Sequence, residues 1–261
     1  MTTLQMIGGG KMGQALVGGL LNAGWAQAGE LAVVEVAPEQ QEALAVAFPG
    51  VEVVDAPLAG VDAVLAVKPY LVTAVCRQME NPTRVISIAA GITIAAMEAA
   101  LPAGVPVVRV MPNTPALVGE GAAAVAGGST ATQDDVAWAI GIMSAVGAAV
   151  EVTESLLDAV TGLSGSGPAY VFLIAEALID AGVSAGLPRH LATVLAQQTL
   201  LGASKLLVTS GESPTDLRAQ VTTPAGTTAA GLRVLEQRAV RAALIDAVAA
   251  AAERSRQLGA G

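Results

Sequence analysis

A glycine-rich hexapeptide near the start of the chain offers the clearest chemistry in the sequence. Gly8-Gly9-Gly10-Lys11-Met12-Gly13 has glycines at its first, third and sixth positions and lies between a predicted strand and a predicted helix. Glycines at this spacing permit a tight turn and a close approach of the backbone to a pyrophosphate, while the N–H groups of the helix start attract the anion. The motif predicts a dinucleotide site; the alternative interpretation is a plain strand–helix turn.

Glu35 ends the second predicted strand, 22 residues after Gly13. An acidic side chain there accepts hydrogen bonds from the adenosine ribose and repels a 2′-phosphate. The sequence has no Lys or Arg between Lys11 and Lys68 to bind that phosphate. This pattern predicts that NADH is accepted at least as well as NADPH. In the alternative interpretation Glu35 points into solvent, and the chain could then use either NADH or NADPH.

The loop Thr222–Thr228 combines hydroxyl side chains with Pro224 and Gly226. It precedes a predicted helix at Ala229–Leu235. Free N–H groups at a helix start suit a carboxylate, so the backbone of residues 226–228 is the predicted site for a substrate carboxylate. An ordinary helix cap is the alternative.

Histidine and cysteine each occur once, as His190 and Cys76. One residue of each type excludes an internal disulfide, a cysteine-rich zinc site and a multi-histidine metal centre. We predict His190 at the surface near a helix start and Cys76 as an inert helical residue, and no bound metal.

The composition of the 261-residue chain restricts the classes of partner. Hydrophobic residues make up 53% and charged residues 13%, which indicates one or two folded domains. A net charge of −9 and 2% aromatic residues argue against nucleic acid and against an anionic membrane surface. The uncharged run Met12–Gly29 contains five glycines and three amide side chains, so it is a poor membrane span. With no basic leader at the N-terminus, we expect a cytoplasmic protein without a membrane partner.

Short β-branched runs alternate with helical patterns in the first part of the chain. This alternation predicts a doubly wound parallel sheet with helices on both faces. The predicted strands are Leu4–Ile7, Leu31–Val36, Val51–Val54, Ala63–Val67, Val85–Ile88, Val107–Val110, Ala122–Ala126 and Ala148–Val152. The predicted helices are Gly10–Ala23, Pro38–Ala47, Leu71–Gln78, Ile94–Ala100 and Asp134–Ser144.

The β signal ends near residue 153. Long helical patterns follow at Ala169–Ala181, His190–Thr209 and Glu236–Leu258, and the net charge changes from −8 over residues 1–153 to −1 over residues 154–261. We predict a dinucleotide-binding domain at 1–153 and an all-α domain at 154–261. The apolar helical domain has faces that a monomer would leave exposed, so a homo-oligomer is expected.

Six segments in a fixed order resemble those of the pyrroline-5-carboxylate reductases. They are Ala66-Val67-Lys68-Pro69, Ser87-Ile88-Ala89-Ala90-Gly91, Met111-Pro112-Asn113-Thr114-Pro115, Leu163-Ser164-Gly165-Ser166-Gly167-Pro168-Ala169-Tyr170, Asp180-Ala181-Gly182-Val183 and Val221-Thr222-Thr223-Pro224-Ala225-Gly226-Thr227-Thr228. The resemblance spans nearly the whole chain. It implies a Rossmann domain, a helical domain that forms an intertwined dimer, and a decamer of such dimers. It also implies reduction of Δ1-pyrroline-5-carboxylate to L-proline by NADPH or NADH.

The resemblance also implies roles for individual residues. Substrate contacts are implied for Glu154, Thr223, Gly226, Thr227 and Thr228, with the hydroxyl of Thr228 at the substrate's ring nitrogen as the catalytic contact. The implied cofactor-binding residues are Ile7, Gly8, Gly9, Gly10, Lys11, Met12, Gly13, Glu35, Ala66, Val67, Lys68, Pro69, Ala89, Ala90, Gly91, Met111, Pro112, Asn113 and Gln220.

Two segments also have an interpretation of their own. Ser164–Pro168 is typical of a helix start, with Ser166 as cap and Pro168 in the first turn, so we favour a structural role for Ser166 over a catalytic one. Ala225 stands where the family usually has glycine. If the backbone there needs a positive φ, alanine costs on the order of 1 kcal/mol of local strain.

Two other functions remain as alternatives. A β-hydroxyacid dehydrogenase shares the two-domain plan but uses a lysine of the helical domain. Among residues 154–261 of this chain, Lys205 is the single lysine. A non-catalytic dinucleotide sensor would bind cofactor without turnover. Reduction of an imine needs no strong acid or base residue, because the cofactor carries the chemistry.

Overall fold

The computed structural model describes residues 1–259 and contains one eight-stranded sheet, in the order β3-β2-β1-β4-β5-β6-β7-β8. The order β3-β2-β1-β4-β5-β6 is that of a dinucleotide-binding sheet, so the predicted doubly wound fold is confirmed. The strands are β1 (Leu4–Ile7), β2 (Leu31–Val34), β3 (Glu52–Val54), β4 (Asp62–Leu65), β5 (Val85–Ser87), β6 (Val107–Met111), β7 (Gly121–Gly127) and β8 (Gly147–Glu151).

Strands β1 to β6 are parallel, but β7 runs antiparallel to β6, and β8 is parallel to β7. The fully parallel sheet of the prediction is therefore wrong for the last two strands. The connection from β6 to β7 is nine residues long and holds only the 3₁₀ helix Thr114–Val118. A parallel crossover needs about a dozen residues or more, so this connection reverses the chain.

Alternate residues of the central strands enter hydrophobic clusters on opposite faces of the sheet. In β4, Val64 joins one cluster, and Ala63 and Leu65 join the other. This follows from the two-residue period of a strand, and it requires apolar residues at successive positions because helices cover both faces.

Five helices accompany the sheet along residues 1–153. They are α1 (Lys11–Asn22), α2 (Pro38–Ala47), α3 (Val72–Gln78), α4 (Ile94–Glu98) and α5 (Gln133–Ser144). In α1, Gly13, Leu16, Val17 and Leu20 are buried, which is the i, i+3, i+4, i+7 spacing of one helix face.

The rest of the described chain is helical. Its helices are α6 (Leu157–Val160), α7 (Gly167–Ser184), α8 (Arg189–Ser210), α9 (Pro214–Gln220), α10 (Thr227–Gln237) and α11 (Val240–Gly259). A π-helical turn, Thr161–Gly165, joins α6 to α7. Helix α7 begins at Gly167 with Pro168 in its first turn, so the predicted helix start is confirmed. Ser166 itself has helical backbone angles and ends the π turn, so the prediction that Ser166 caps this start is wrong.

Two further differences concern the C-terminal helices. The predicted helix Glu236–Leu258 is broken, because Ala239 has a φ of +54°, which ends α10 and lets α11 begin at Val240. Helix α9 was not predicted, although Ser213 as its N-cap and Pro214 as its first residue are local signals of a helix start.

The chain forms two compact units. The first holds Met1–Ser166 together with the C-terminal residues from Ala249, and the second holds Gly167–Val248. In the first unit, Ser255 donates a hydrogen bond to Asp158 over 2.6 Å. In the second, α7 and α8 pack closely where Gly182 meets Ala192. The domain boundary at 153 was drawn from sequence pattern and stays a prediction.

Candidate functional site

A cleft of about 950 Å³ lies in the first unit, at the carboxyl ends of β1, β2, β4, β5 and β6. Ligands of doubly wound sheets bind at this edge. The residues implied to bind cofactor that line the cleft are Ile7, Gly8, Gly10, Lys11, Met12, Glu35, Ala66, Val67, Lys68, Pro69, Ala89, Ala90, Met111 and Pro112. The structure brings them together, and their contact with a cofactor stays a prediction.

The glycines of the first loop form a cradle that other side chains would block. Gly8 has a φ of +110°, and a Cβ there would lie 2.7 Å from the carbonyl oxygen of Ala66. A Cβ at Gly13 would collide with the carbonyl oxygen of Gly8. Within the described chain, a Cβ on Gly10 would have no atom within 4 Å, because Gly10 faces the open cleft. Gly10 is also the N-cap of α1, so the first N–H groups of the helix are left to an anion. This loop fits a pyrophosphate.

Two glutamines fix the shape of this loop, and the sequence analysis missed both. Gln14 Nε2 and Gln40 Nε2 donate to the carbonyl oxygen of Gly9 over 2.7 and 3.1 Å. Gln14 lies one turn into α1, so its position beside the loop was a usable signal. Gln40 comes from α2 and meets Gly9 only in the folded chain.

Glu35 follows β2, and backbone N–H groups hold its carboxylate. Oε2 accepts from Gly9 over 3.1 Å, and Oε1 accepts from Val36 and Ala37 over 2.8 and 3.1 Å. Glu35 lines the cleft, so the structure does not support the alternative in which its side chain points away into solvent. The prediction that it selects against a 2′-phosphate rests on this position.

The β2–β3 side of the cleft carries a second carboxylate that the sequence analysis missed. Asp55 directly follows β3 and lines the cleft. Its place after a parallel strand was the available signal, because the carboxyl ends of parallel strands share one edge. Two lysines, Lys11 and Lys68, also line the cleft, at the ends of β1 and β4.

Four implied cofactor residues of the first unit lie beside the cleft. Gly9 and Gly13 belong to the packing of the glycine loop. Gly91, with a φ of +77°, lies against Leu258 of α11. Asn113 bridges two segments, since its Oδ1 accepts from Ala122 N over 2.8 Å and its Nδ2 donates to Ser164 O over 3.1 Å.

Glu154 forms the centre of a structural junction in the first unit. Its Oε1 accepts from Ile94 N over 2.7 Å and from a guanidinium nitrogen of Arg109 over 2.9 Å. Arg109 is only 9% exposed, so this ion pair neutralises a buried cation of β6. The implied contact of Glu154 with substrate stays a prediction.

The second unit contains the loop predicted to bind substrate. Helix α10 begins at Thr227, two residues earlier than predicted, with Gly226 as its N-cap. Because glycine has no side chain, the N–H groups of Thr227 and Thr228 receive no side-chain cap from it. Gly226 N donates to Thr223 O over 3.0 Å, which closes the turn before the helix. Thr223, Thr227 and Thr228 are all exposed. The geometry suits a carboxylate.

Ala225 has a φ of +57°, which is the positive φ at which alanine was expected to be strained. We predict that Ala225→Gly raises the free energy of unfolding by about 0.5–1 kcal/mol. The left-handed conformation costs alanine about 1–2 kcal/mol, and the greater freedom of glycine in the unfolded chain offsets about half of that. Urea unfolding at fixed protein concentration measures the difference. Ala230→Gly, inside α10, should instead lower stability, and equal or lower stability of Ala225→Gly would contradict the strain.

The remaining residues singled out in the sequence occupy other places. Gln220 ends α9, and its side chain donates to Glu212. His190 is exposed in the first turn of α8, as predicted. Burial raises the pKa of the Cys76 thiol to about 11, so it is un-ionised and inert at neutral pH. Lys205 is exposed on α8.

Comparisons with known proteins cover both halves of the chain. Residues 154–258 match the family described as pyrroline-5-carboxylate reductase dimerisation, and residues 3–91 match the family described as NADP oxidoreductase, coenzyme F420-dependent. The pyrroline-5-carboxylate reductase of Corynebacterium melassecola is 42% identical over 269 residues, covering 99% of both chains. The solved structure of that enzyme from Coxiella burnetii superposes with a TM-score of 0.90 at 33% identity, covering 98% of both chains. The Plasmodium falciparum pyrroline carboxylate reductase with NADP bound has a TM-score of 0.83 at 31% identity, covering 99% of this chain and 98% of the other.

Proposed function

The chain belongs to the pyrroline-5-carboxylate reductase family, and from this we propose how its residues carry out the reaction. It is an NAD(P)H-dependent reductase that converts Δ1-pyrroline-5-carboxylate to L-proline, the final step of proline biosynthesis. The observation that carries the residue assignment is the cleft at the carboxyl edge of the sheet, with its glycine cradle and Glu35.

We assign the two halves of the cofactor to the ends of different strands along the cleft. The pyrophosphate lies on the first turn of α1, where Gly10 leaves the N–H groups free. The adenosine ribose lies at Glu35, at the end of β2. The nicotinamide half then extends to the ends of β4, β5 and β6, where Lys68, Ala89 and Met111 line the cleft.

The substrate is a cyclic imine that carries one carboxylate. We assign the carboxylate to the N–H groups of Thr227 and Thr228, and the ring nitrogen to the hydroxyl of Thr228. Protonation of the nitrogen makes C5 electrophilic, and the reduced nicotinamide, when bound, supplies the hydride that C5 receives. The π electrons of the C=N bond then pass to nitrogen, which gives the secondary amine of proline. The proton that nitrogen receives comes from solvent water. The chain contributes alignment and a hydrogen bond at nitrogen, so the reaction needs no histidine or carboxylic acid side chain as proton donor.

The test is to mix the purified protein with Δ1-pyrroline-5-carboxylate and follow the absorbance of NADH and NADPH in parallel. Cofactor oxidation with proline as product is the expected result. Dinucleotide binding without turnover would favour the sensor, and turnover of a hydroxyacid instead would favour the dehydrogenase.

The helices of the second unit expose much apolar surface for self-association. Phe172 and Leu173 of α7 are 62% and 65% exposed, and Val208 of α8 is 83% exposed. By length and composition, the helical segment Glu154–Ser184 and helix α8 could each cross a membrane. We propose that a second copy covers these faces, because the dimerisation family matches this same region. A decamer of five dimers is the larger assembly that we propose from the family resemblance.

Light scattering without detergent tests the assembly. We expect a mass of about 260 kDa for ten chains of 25.8 kDa, or about 52 kDa if dimers do not assemble further. A monomer at micromolar concentration would contradict self-association, and a need for detergent would favour a membrane.

We propose that the reaction takes place in the cytoplasm. The reducing conditions of that compartment keep a single free thiol such as Cys76 reduced.

A further inference from the structure

The segment that follows β6 is fastened to the π-helical turn Thr161–Gly165, both within the first unit. Asn113 makes this connection by donating from Nδ2 to Ser164 O over 3.1 Å. The π turn itself closes through Ser166 N, which donates to Thr161 O over 2.8 Å. Met111, two residues before Asn113, lines the cleft.

The sequence explains why Ser164 O is available to Asn113. In a regular helix this carbonyl would accept from the N–H four residues later, which is position 168. That residue is proline, and proline has no N–H to donate. Asn113 supplies the missing donor, so the π turn and the end of β6 hold each other in place.

Gly165, the next residue, presses directly on Met111. A Cβ at Gly165 would lie 2.6 Å from the terminal methyl carbon of Met111, closer than such carbons approach. Met111 also packs against the buried cluster that contains Ile7 and Leu157. Because that side is filled, a methyl group added at Gly165 would displace the methionine toward the open cleft.

We propose that Gly165 is a positioning residue that sets how far Met111 reaches into the nicotinamide half of the cleft. The proposal rests on the proposed use of NAD(P)H. The nicotinamide half is the end affected, because Glu35 and the glycine loop take the adenosine and pyrophosphate at β2 and β1.

The experiment measures the binding of NADH and of ADP-ribose to Gly165→Ala by calorimetry, without substrate. ADP-ribose has the adenosine and pyrophosphate but lacks the nicotinamide. We expect the Kd of NADH to rise about tenfold, while the Kd of ADP-ribose stays within about twofold. Equal weakening of both ligands would show a general distortion and overturn the proposal, as would an unchanged Kd for NADH.

Two further variants separate the proposed contact from other effects. In a Met111→Ala background, Gly165→Ala should have no additional effect on NADH, because the colliding methyl group is gone. A persistent effect would overturn the proposal. Gly29→Ala is the matched control, since a Cβ there would meet no atom within 4 Å among residues 1–259, and Gly29 precedes β2 at the opposite edge of the sheet. It should change neither Kd.

If Gly165→Ala fails to fold, Asn113→Asp provides the test. It keeps the acceptor for Ala122 N but removes the donor to Ser164 O, which loosens the same segment. We again expect the Kd of NADH to rise, here about threefold, while the Kd of ADP-ribose stays unchanged. Equal changes in the two Kd values would overturn the proposal. Failure of the proposed function would differ: the unmodified protein would bind NADH but not reduce the imine.

Discussion

Thr228→Ala is expected to lower kcat for reduction of Δ1-pyrroline-5-carboxylate by about 10²-fold while leaving the Kd of NADH unchanged. The hydroxyl of Thr228 lies in the first turn of α10, in the second unit, whereas the cofactor cleft is formed by the first unit. Its loss removes a hydrogen bond at the ring nitrogen, where charge changes most during hydride transfer. Steady-state kinetics with the imine, combined with titration of NADH, measures both quantities.

The loop provides its own control for this prediction. The hydroxyl of Thr222 donates back to Arg218 O over 2.6 Å and is not assigned to substrate. Thr222→Ala should therefore leave kcat within a few-fold of the unmodified protein, and Thr228→Ser, which keeps a hydroxyl, should recover most of the lost rate. Unchanged kcat and KM for the imine in Thr228→Ala would remove this residue from the mechanism.

Glu35→Ser is expected to raise the ratio of kcat/KM for NADPH to that for NADH by about ten- to a hundredfold. The carboxylate accepts hydrogen bonds from the backbone N–H groups of Gly9, Val36 and Ala37. A 2′-phosphate brought beside Glu35 meets a negative charge and finds these donors already occupied. Removing the carboxylate frees three donors for the phosphate as well as ending the repulsion.

The measurement compares both cofactors under identical imine concentrations. Glu39→Ser removes one negative charge from the exposed face of α2, which does not line the cleft, so the ratio should stay within about twofold. Asp55→Asn should raise the ratio less than Glu35→Ser, because Asp55 lies after β3, one strand farther from the glycine loop. An unaltered ratio in Glu35→Ser would show that Glu35 does not select the cofactor.

The first six strands, the glycine loop and the acidic residue after β2 could all be predicted because their signals are local. A strand buried on both faces is a run of apolar residues, and a loop that approaches an anion needs glycine at fixed positions. The family and the reaction were inferred from the order of the six motifs, by their resemblance to a known family and not from hydrophobic periodicity. These features follow from residues within a few positions of one another.

Other features depended on contacts between distant parts of the chain. The apolar pattern of β7 is the same in either direction, so its antiparallel course came from the short connection after β6. Ala239 ends α10 through a backbone angle that alanine rarely adopts, and nothing in its local sequence indicates a break.

The sequence by itself determined the fold class and the glycine loop between β1 and α1, because both are specified by short-range spacing and by residue type. The binding roles of that loop and of the loop at Thr228 stay predictions. Only the tertiary structure decided which side chains complete the site. Gln40 reaches Gly9 across 31 residues, and Asn113 reaches Ser164 across 51. Gly165 meets Met111 at a packing contact between segments 54 residues apart. Such contacts depend on where the folded chain places each backbone segment. A single sequence contains both residues of each pair but does not show which residues come into contact.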